Sequence, residues 1–366
     1  MTILALETSC DDTCAAVIAS DGAIRSNVIS SQRVHDRFGG VVPEIASRHH
    51  LELVNLVVEQ SLREADVTLD QMDLVGVTQG PGLVGALLVG LSTAKAIAAA
   101  RELPLAPIDH LQGHVAANFL LSGEDGASEA FEPPFLCLIA SGGHTLLADV
   151  RDHEGFRTLG RTLDDAAGEA FDKGARMLGL GYPGGPALER LAAKGDPEAF
   201  EFPVSGSRSR GGRGATRAFG RSLDFSFAGL KTSLLYRLRE LEGRPAGGGA
   251  READGPGGPA RGGRWREWAP DLAASYQAAI VEHLVRRAEQ ALELTGLDRL
   301  TVGGGVAANG ELRRRIGKLG ATVHVPPRTL CTDNAAMIGA AARFARALPY
   351  PEYLGLDAYA TGEHPR

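Results

Sequence analysis

The sequence predicts an α/β protein whose two halves repeat one layout of strands. Each half opens with a short apolar run, Ile3–Leu6 in the first and Phe135–Ala140 in the second, followed by a polar turn and two more strand-like segments. Between later strands, apolar residues recur at helical spacing, as at Leu51, Val54 and Val58. Strands that alternate with helices are typical of open α/β sheets. We therefore expect an internal structural repeat, weak in identity but clear in the order of its elements.

Length, charge and cysteine spacing limit the function. The chain has 366 residues, enough for two domains with separate cores. Its net charge of -7 excludes a global basic field, so contact with a polyanion must come from a local patch or a partner. The four cysteines form no CxxC pair, which favours free thiols in a reducing compartment. Because no signal peptide is recognisable and Gly80–Gly82 breaks the longest uncharged run, Leu74–Ala94, we expect a cytoplasmic protein without membrane contact.

The repeat and the composition together suggest a division of the chain. We predict an N-terminal lobe at residues 1–132, completed by a C-terminal helix at 333–347, and a C-terminal lobe at 133–332. Residues 348–366 form a tail, which we expect to be loosely ordered from Pro349.

Two polar stretches of the second lobe stand apart from this layout. Glycine dominates residues 243–263, which predicts a disordered insert because such a segment buries too little apolar surface. The local basic patch is an arginine run at residues 208–221. This run either contacts a phosphate backbone or is a solvated loop, and the sequence allows both.

The segment His110-Leu111-Gln112-Gly113-His114 is a candidate metal site. Two histidines four residues apart lie on one face of a helix, so both imidazoles can reach one ion. The pair alone is more typical of two half-exposed histidines on an ordinary helix. Asp333, in the segment before the last helix, is either a helix cap or the carboxylate that completes a His-His-Asp set. Iron and zinc both accept such ligands.

Several turns could bind the anionic parts of a nucleotide. The polar turn at Glu7–Thr13 suits a phosphate with its metal or water, or is ordinary turn chemistry. In the second half the equivalent turn, Ser141–His144, contains two glycines that expose backbone N–H groups as an anion nest. The loop Gly303–Gly305 before Asn309 can lie flat against a nucleobase or ribose, although a glycine loop alone is a weak signal.

With these motifs in place, the chain resembles the tRNA threonylcarbamoyladenosine transferase family, TsaD. The matching stretches follow the family's order from Leu6 to Ile338: LETSCDDT, PEIASRHH, QGPGLVGALLVG, HLQGH, IASGGHT, GEAFDKGARMLGLGYPGGP, DFSFAGLKT, GGGVAAN and CTDNAAMI. The resemblance implies the two-lobed fold of actin-like ATPases and sugar kinases (ASKHA), with duplicated ribonuclease H-like domains.

The resemblance also implies a reaction and its requirements. Threonylcarbamoyl-AMP would give its acyl group to N6 of the adenosine beside the anticodon in tRNAs that read codons beginning with A, and AMP would leave. One divalent ion, Fe²⁺ in preference to Zn²⁺, would be bound by His110, His114 and Asp333. Partners would be tRNA, an inactive TsaB-like paralogue and a TsaE-like ATPase.

Further site residues follow from the same resemblance. Asp11 is our candidate for a polar role near the phosphate or the incoming amine. Many family members have Asp where this chain has Glu189. The implied substrate and nucleotide contacts are Ile139, Ala140, Ser141, Gly142, Gly143, Asp172, Gly185, Glu189 and Asn309.

Other functions compete with this interpretation. An ATPase or phosphotransferase of the same fold would turn over ATP without tRNA. A metalloprotease is less well supported, because zincins place the general-base Glu directly after the first His, and Leu111 stands there. A non-catalytic scaffold would not need the His-His-Asp set together with the glycine loops.

Overall fold

The computed structural model describes residues 1–121, 130–204, 222–243 and 263–360. The arginine run, the tail from residue 361 and all but the ends of the glycine-rich stretch lie outside the described residues. The strands are β1 (Thr2–Glu7), β2 (Asp12–Ala19), β3 (Ile24–Ser31), β4 (Leu74–Gly80), β5 (Leu105–Asp109), β6 (Phe135–Ala140), β7 (Thr145–Val150), β8 (Arg157–Arg161), β9 (Arg299–Gly303) and β10 (Thr322–His324). The helices are α1 (Pro43–Glu64), α2 (Val84–Ala100), α3 (His110–Ala116), α4 (Ala167–Met177), α5 (Gly184–Ala192), α6 (Ala228–Leu241), α7 (Ala269–Thr295), α8 (Gly310–Ile316), α9 (Arg328–Cys331) and α10 (Ala335–Ala342).

The strands form two sheets with the same topology. The first has the order β3-β2-β1-β4-β5, and the second, read in the matching direction, has the order β8-β7-β6-β9-β10. In the first sheet β2 is antiparallel to β1 and β3, whereas β4 is parallel to β1 and β5. In the second, β7 is antiparallel to β8 and β6 is parallel to β9. The predicted repeat of strands is confirmed.

Each sheet belongs to its own compact unit. Unit 1 consists of residues 1–135, 150–156 and 324–366, and unit 2 of residues 136–149 and 157–323. No helix among the described residues is both long enough and apolar enough to cross a membrane.

In unit 1, alternate residues of β1 face two layers of helices. Leu4 and Leu6 lie in the core formed with α1 and α2. On the opposite face α10 lies close to the sheet because its residues are small. A Cβ added at Gly339 would lie 2.5 Å from Ile18 Cγ1, and one at Gly76 would lie 2.9 Å from the Cβ of Ala342. This close packing fixes where α10 begins.

The segment from residue 348 to 360, which we name the C-terminal strap, is packed against unit 1. Leu348 pairs with Leu105 of β5, and Tyr353 is fully buried in the core. The ammonium of Lys95 donates to the carbonyl oxygens of Leu354 and Leu356. The prediction of a loosely ordered tail is therefore wrong for this segment, because partners on α2 and β5 satisfy its backbone.

In unit 2, α4 packs closely on the long helix α7. A Cβ added at Gly174 would lie 2.4 Å from Cε1 of the Tyr276 ring. The hydroxyl of Tyr276 donates to the carbonyl of Ala170 at 3.0 Å. Helix α4 begins at Ala167 and ends at Met177. This contact places the first turns of α4 beside the end of β6.

Candidate functional site

The three predicted metal ligands lie together in unit 1. Helix α3 begins at His110, directly after β5, and His114 follows one turn later. Asp333 Oδ1 lies 3.5 Å from Nε2 of His110 and 3.3 Å from Nε2 of His114. All three ligand atoms are within 4.8 Å of one another, and no other set of three His, Cys, Asp or Glu side chains within the described ranges is arranged in this way. The chain therefore has a candidate metal site.

The sequence left open whether Asp333 is a helix cap or a metal ligand, and its neighbour Asn334 takes the first role. Asn334 caps α10, because its side-chain oxygen accepts from the N–H of Met337 at 3.0 Å. The carboxylate of Asp333 is directed at the two histidines instead. The cap of α10 and the candidate ligand are thus adjacent residues.

Glu7, which the sequence analysis did not single out, orients His110. Its Oε2 lies 3.0 Å from Nδ1 of His110 and accepts from the hydroxyl of Thr78 at 2.5 Å. Its Oε1 accepts from the backbone N–H of Ser9. The side chain is completely buried. A carboxylate bonded to Nδ1–H leaves the Nε2 lone pair of His110 available to a metal.

Glu7 could have been found from one signal. It is an acidic residue at the end of the apolar run Ile3–Leu6, and a carboxylate in such a place needs a partner. Which residue is the partner depends on the fold.

The electrostatics of the site favour a positive charge. Burial lowers the pKa of His110, but the charges of Asp333 and Glu7 outweigh burial and raise that pKa to about 9. Burial raises the pKa of Glu7, yet its net direction is downward because His110 stabilises the carboxylate. Both ring nitrogens of His114 are buried without a hydrogen-bond partner among the described residues. Two acids together with a buried imidazole that makes no hydrogen bond within the described residues suit a divalent cation.

Asp11 lies in the same electrostatic field as the three ligands. Burial raises its pKa, and the charge of Asp333 adds to that rise. Burial also raises the pKa of Asp12 to about 7, although Ser31 donates a hydrogen bond to it. The first polar turn of unit 1 therefore belongs to the acidic surroundings of the candidate metal site.

In unit 2, the predicted contacts begin at the end of β6. Ile139 and Ala140 are buried in the sheet. The turn that follows is closed by Ser141, whose N–H donates to the carbonyl of His144 at 2.8 Å and whose hydroxyl accepts from the N–H of His144 at 3.0 Å. Gly142 and Gly143 are exposed at its tip, and a Cβ added to either would meet no described atom within 4 Å. Their backbones are open to a ligand.

Hydrogen bonds connect this turn to helix α4 and to the start of α5. The N–H of Gly168 in α4 donates to the carbonyl of Ser141 at 3.0 Å. One turn later, Asp172 Oδ1 accepts from the N–H of Gly184 at 2.8 Å. Burial raises the pKa of Asp172, opposed by the backbone N–H groups of Gly184 and Gly185.

The remaining predicted contacts connect α5 and α8. Glu189 Oε1 accepts from the N–H of Gly310 at 2.7 Å. Asn309 caps α8 by accepting from the N–H of Leu312 at 3.0 Å, and its amide nitrogen donates to Gln277 at 2.9 Å. A Cβ at Gly304, where φ is 85°, would lie 2.5 Å from the carbonyl of Ala140, so the glycine loop rests on the end of β6. The predicted residues of unit 2 thus share one network.

Comparison with known proteins identifies relatives along almost the whole chain. The profile of the family "TsaD: tRNA N6-adenosine threonylcarbamoyltransferase" matches residues 23–340. A tRNA N6-adenosine threonylcarbamoyltransferase of Clostridium botulinum (strain 657 / Type Ba4) is 44% identical over 349 residues, covering 93% of this chain and 92% of the relative. The enzyme of the same name from Clostridium kluyveri is 44% identical over 347 residues, with the same coverage.

Solved structures with low sequence identity share the fold. Component A of the (R)-2-hydroxyglutaryl-CoA dehydratase of Acidaminococcus fermentans has a TM-score of 0.51 at 13% identity, covering 97% of this chain and 99% of that one. Full-length HypF has a TM-score of 0.55 at 14% identity, covering 93% of this chain and 55% of that one. These likenesses and the duplicated sheets show the expected ASKHA fold. From the family match and the curated relatives, the chain belongs to the TsaD family of tRNA N6-adenosine threonylcarbamoyltransferases.

Proposed function

We propose that this tRNA N6-adenosine threonylcarbamoyltransferase uses threonylcarbamoyl-AMP as its donor. The N6 amine of the adenosine beside the anticodon, in tRNAs that read codons beginning with A, attacks the carbamoyl carbon. A C–N bond forms, the C–O bond to the phosphate breaks, the amine loses a proton, and AMP leaves. Such a mixed anhydride is already activated, so the enzyme needs no covalent nucleophile. The observation that carries the proposal is the convergence of His110, His114 and Asp333.

We propose that these three side chains hold one divalent ion, Fe²⁺ in preference to Zn²⁺. Two imidazoles and one carboxylate suit both metals. When bound, such an ion acts as a Lewis acid on a carbonyl or phosphoryl oxygen. Glu7 supports the site by accepting from Nδ1–H of His110, which orients the ring so that Nε2 is directed at the metal.

The residues of unit 2 bind the AMP portion in this proposal. The exposed N–H groups of Gly142 and Gly143 are suited to the phosphate. Ile139, Ala140 and Ser141 carry that turn at the end of β6.

The carboxylates and the amide near α5 take the nucleoside in this proposal. Asp172 and Glu189 are suited to ribose hydroxyls, because each is a carboxylate held in place by a backbone N–H and has two acceptor oxygens. Gly185 gives the nucleoside close access to the backbone, since a Cβ there would meet no described atom within 4 Å. Asn309, which caps α8, has one further amide hydrogen for a ligand.

Asp11 is our candidate to accept the proton that the N6 amine loses. Its raised pKa brings a carboxylate closer to the range in which it can act as a general base. Its place in the field of Asp333 supports a position near the reacting groups.

We further propose that the chain works with a TsaB-like paralogue and a TsaE-like ATPase. The net charge of -7 supports this, because a polyanionic tRNA needs basic surface that this chain scarcely provides. We propose that the enzyme is cytoplasmic, which a tRNA substrate supports. No specific observation favours the ATPase or the metalloprotease, and the relatives carry the transferase name.

The test is transfer from synthetic threonylcarbamoyl-AMP to unmodified tRNA, with and without partners, followed by nucleoside analysis. His110→Ala should lose bound metal and transfer activity together. His49→Ala is the matched control, because His49 lies on α1, pairs with Glu52 at 3.8 Å and is not one of the three ligands. Full activity of metal-depleted protein would refute the role of the ion, and full activity of the isolated chain would refute the need for partners.

A further inference from the structure

Tyr359 of the C-terminal strap contacts Asp109, the last residue of β5 before helix α3. Its hydroxyl lies 2.7 Å from Asp109 Oδ2 and 2.9 Å from the carbonyl oxygen of Gly80. A hydroxyl has a single hydrogen, and a carboxylate is the stronger acceptor of the two. The ring is 8% exposed, so water competes little for this bond.

Asp109 uses its other oxygen to start α3. Its Oδ1 accepts from the N–H of Leu111 at 2.8 Å and from the N–H of Gln112 at 3.2 Å, which makes Asp109 the N-cap of that helix. Because α3 begins at His110, the orientation of this cap sets the direction of the helix that carries both histidines. Tyr359 therefore acts on the helix through Asp109.

The position of Tyr359 is itself fixed by the end of β4. Gln79 Nε2 donates to the carbonyl of Asp357 at 2.9 Å, and the N–H of Tyr359 donates to the carbonyl of Gln79 at 3.3 Å. A Cβ at Gly80 would lie 2.5 Å from the carbonyl oxygen of Tyr359 and 2.8 Å from its ring, so only glycine permits this approach. The strap is therefore held in a defined position at the ends of β4 and β5, where α3 starts.

We propose that Tyr359 is a positioning residue for the transfer reaction, which holds Asp109 so that α3 presents His110 and His114 to Asp333. The inference depends on the metal site of the proposed function. Tyr359 bonds to the cap and to none of the three ligands. Its contribution is therefore the geometry of the site, and it should be visible in metal affinity as well as in rate.

The test compares two hydroxyl deletions on the strap in the full-length chain, with Zn²⁺ alone as the probe and a chelator as competitor. Tyr359→Phe should weaken Zn²⁺ binding about 3- to 10-fold, less than the ~10–100-fold typical of a residue bonded directly to a ligand. It should lower kcat and leave KM for tRNA unchanged. Tyr353→Phe is the control, since that buried hydroxyl has no hydrogen-bond partner within the described residues. Equal Zn²⁺ affinity of the two variants would overturn the inference.

A double-mutant cycle with Asp109→Asn tests the route. If Tyr359 acts through Asp109, the double variant should bind Zn²⁺ no more weakly than Asp109→Asn alone. Additive losses would overturn the inference. Wild-type protein that binds no Zn²⁺ would overturn the proposed metal site as well, whereas normal wild-type binding without an effect of Tyr359→Phe would overturn the role of Tyr359 alone.

Discussion

The first turns of the two sheets occupy the same position in one topology, yet their side chains suit opposite charges. In unit 1 the turn after β1 follows the buried carboxylate of Glu7 and carries Asp11. In unit 2 the turn after β6 follows an entirely apolar strand and carries Gly142 and Gly143. The acids near the first suit a cation, whereas the bare N–H groups of the second suit an anion. A duplicated sheet thus supplies two equivalent strand ends, and the residues there decide which charge each end binds.

The largest effect is expected when the candidate ligand and the helix cap at the start of α10 are substituted separately. Asp333→Asn should lose the metal and lower transfer by more than about 100-fold, because even a residue behind a ligand typically contributes ~10–100-fold. Asn334→Ala should keep the metal but lower the free energy of unfolding by about 1 kcal/mol, the usual cost of a lost cap. Metal content and denaturant unfolding distinguish the two. If Asp333→Asn retained the metal, the proposal that the acids of unit 1 bind a cation would be contradicted.

An intermediate effect is expected from pH, which should change the Zn²⁺ affinity of the candidate metal site in unit 1. The pKa of metal-free His110 is raised from 6.5 to about 9, so a proton competes with the metal below that pH. Between about pH 8 and about pH 7 the apparent Zn²⁺ affinity should fall by up to about tenfold. In metal-free protein the same proton stabilises the fold; this contribution is complete below the unfolded pKa and is lost as pH rises through the folded value.

Glu7→Gln provides the control for the pH effect. Without the carboxylate the pKa of His110 falls, so the affinity should change less between the same two pH values. The readout is chelator competition at each pH. Wild-type affinity that does not change with pH, or an unchanged slope in Glu7→Gln, would contradict this account.

The smallest effect is expected in the turn of unit 2. Gly143→Ala adds a Cβ that meets no described atom within 4 Å, so the fold should tolerate it. By hindering approach to one N–H it should weaken AMP binding about fivefold, the value of one hydrogen bond of ~1 kcal/mol. Zn²⁺ affinity should not change. AMP inhibition constants test this, and a loss of metal binding instead would show that the two strand ends are not independent.

Gly168→Ala is the matched variant for that turn. Its Cβ would lie 2.6 Å from the carbonyl oxygen of Ser141. It should therefore lower the free energy of unfolding, by about 1–3 kcal/mol for such overpacking. Equal stability of the two variants would contradict the described packing.

Local patterns predicted the strands, their repeat and the metal triad. His110 and His114 are four residues apart, and helical geometry alone brings them together. Asp333 and Asn334 are both good caps, so local preference did not say which one would be left to face the histidines.

The supporting contacts could not be predicted because they depend on long-range packing. Glu7 reaches a histidine 103 positions away, and Tyr359 reaches Asp109 across 250 positions. The strap was expected to be loosely ordered from Pro349. Its order comes instead from Lys95 and Gln79, which bond to its carbonyl oxygens.

The distance along the chain between β1 and Asp333 has a consequence for biosynthesis. Asp333, whose carbonyl oxygen accepts from the thiol of Cys14 across 319 positions, is made long after Glu7. Nascent unit 1 therefore cannot assemble its candidate cation site before Asp333 has left the ribosome. We expect metal capture to follow that point, so that products truncated before Asp333 remain without the ion.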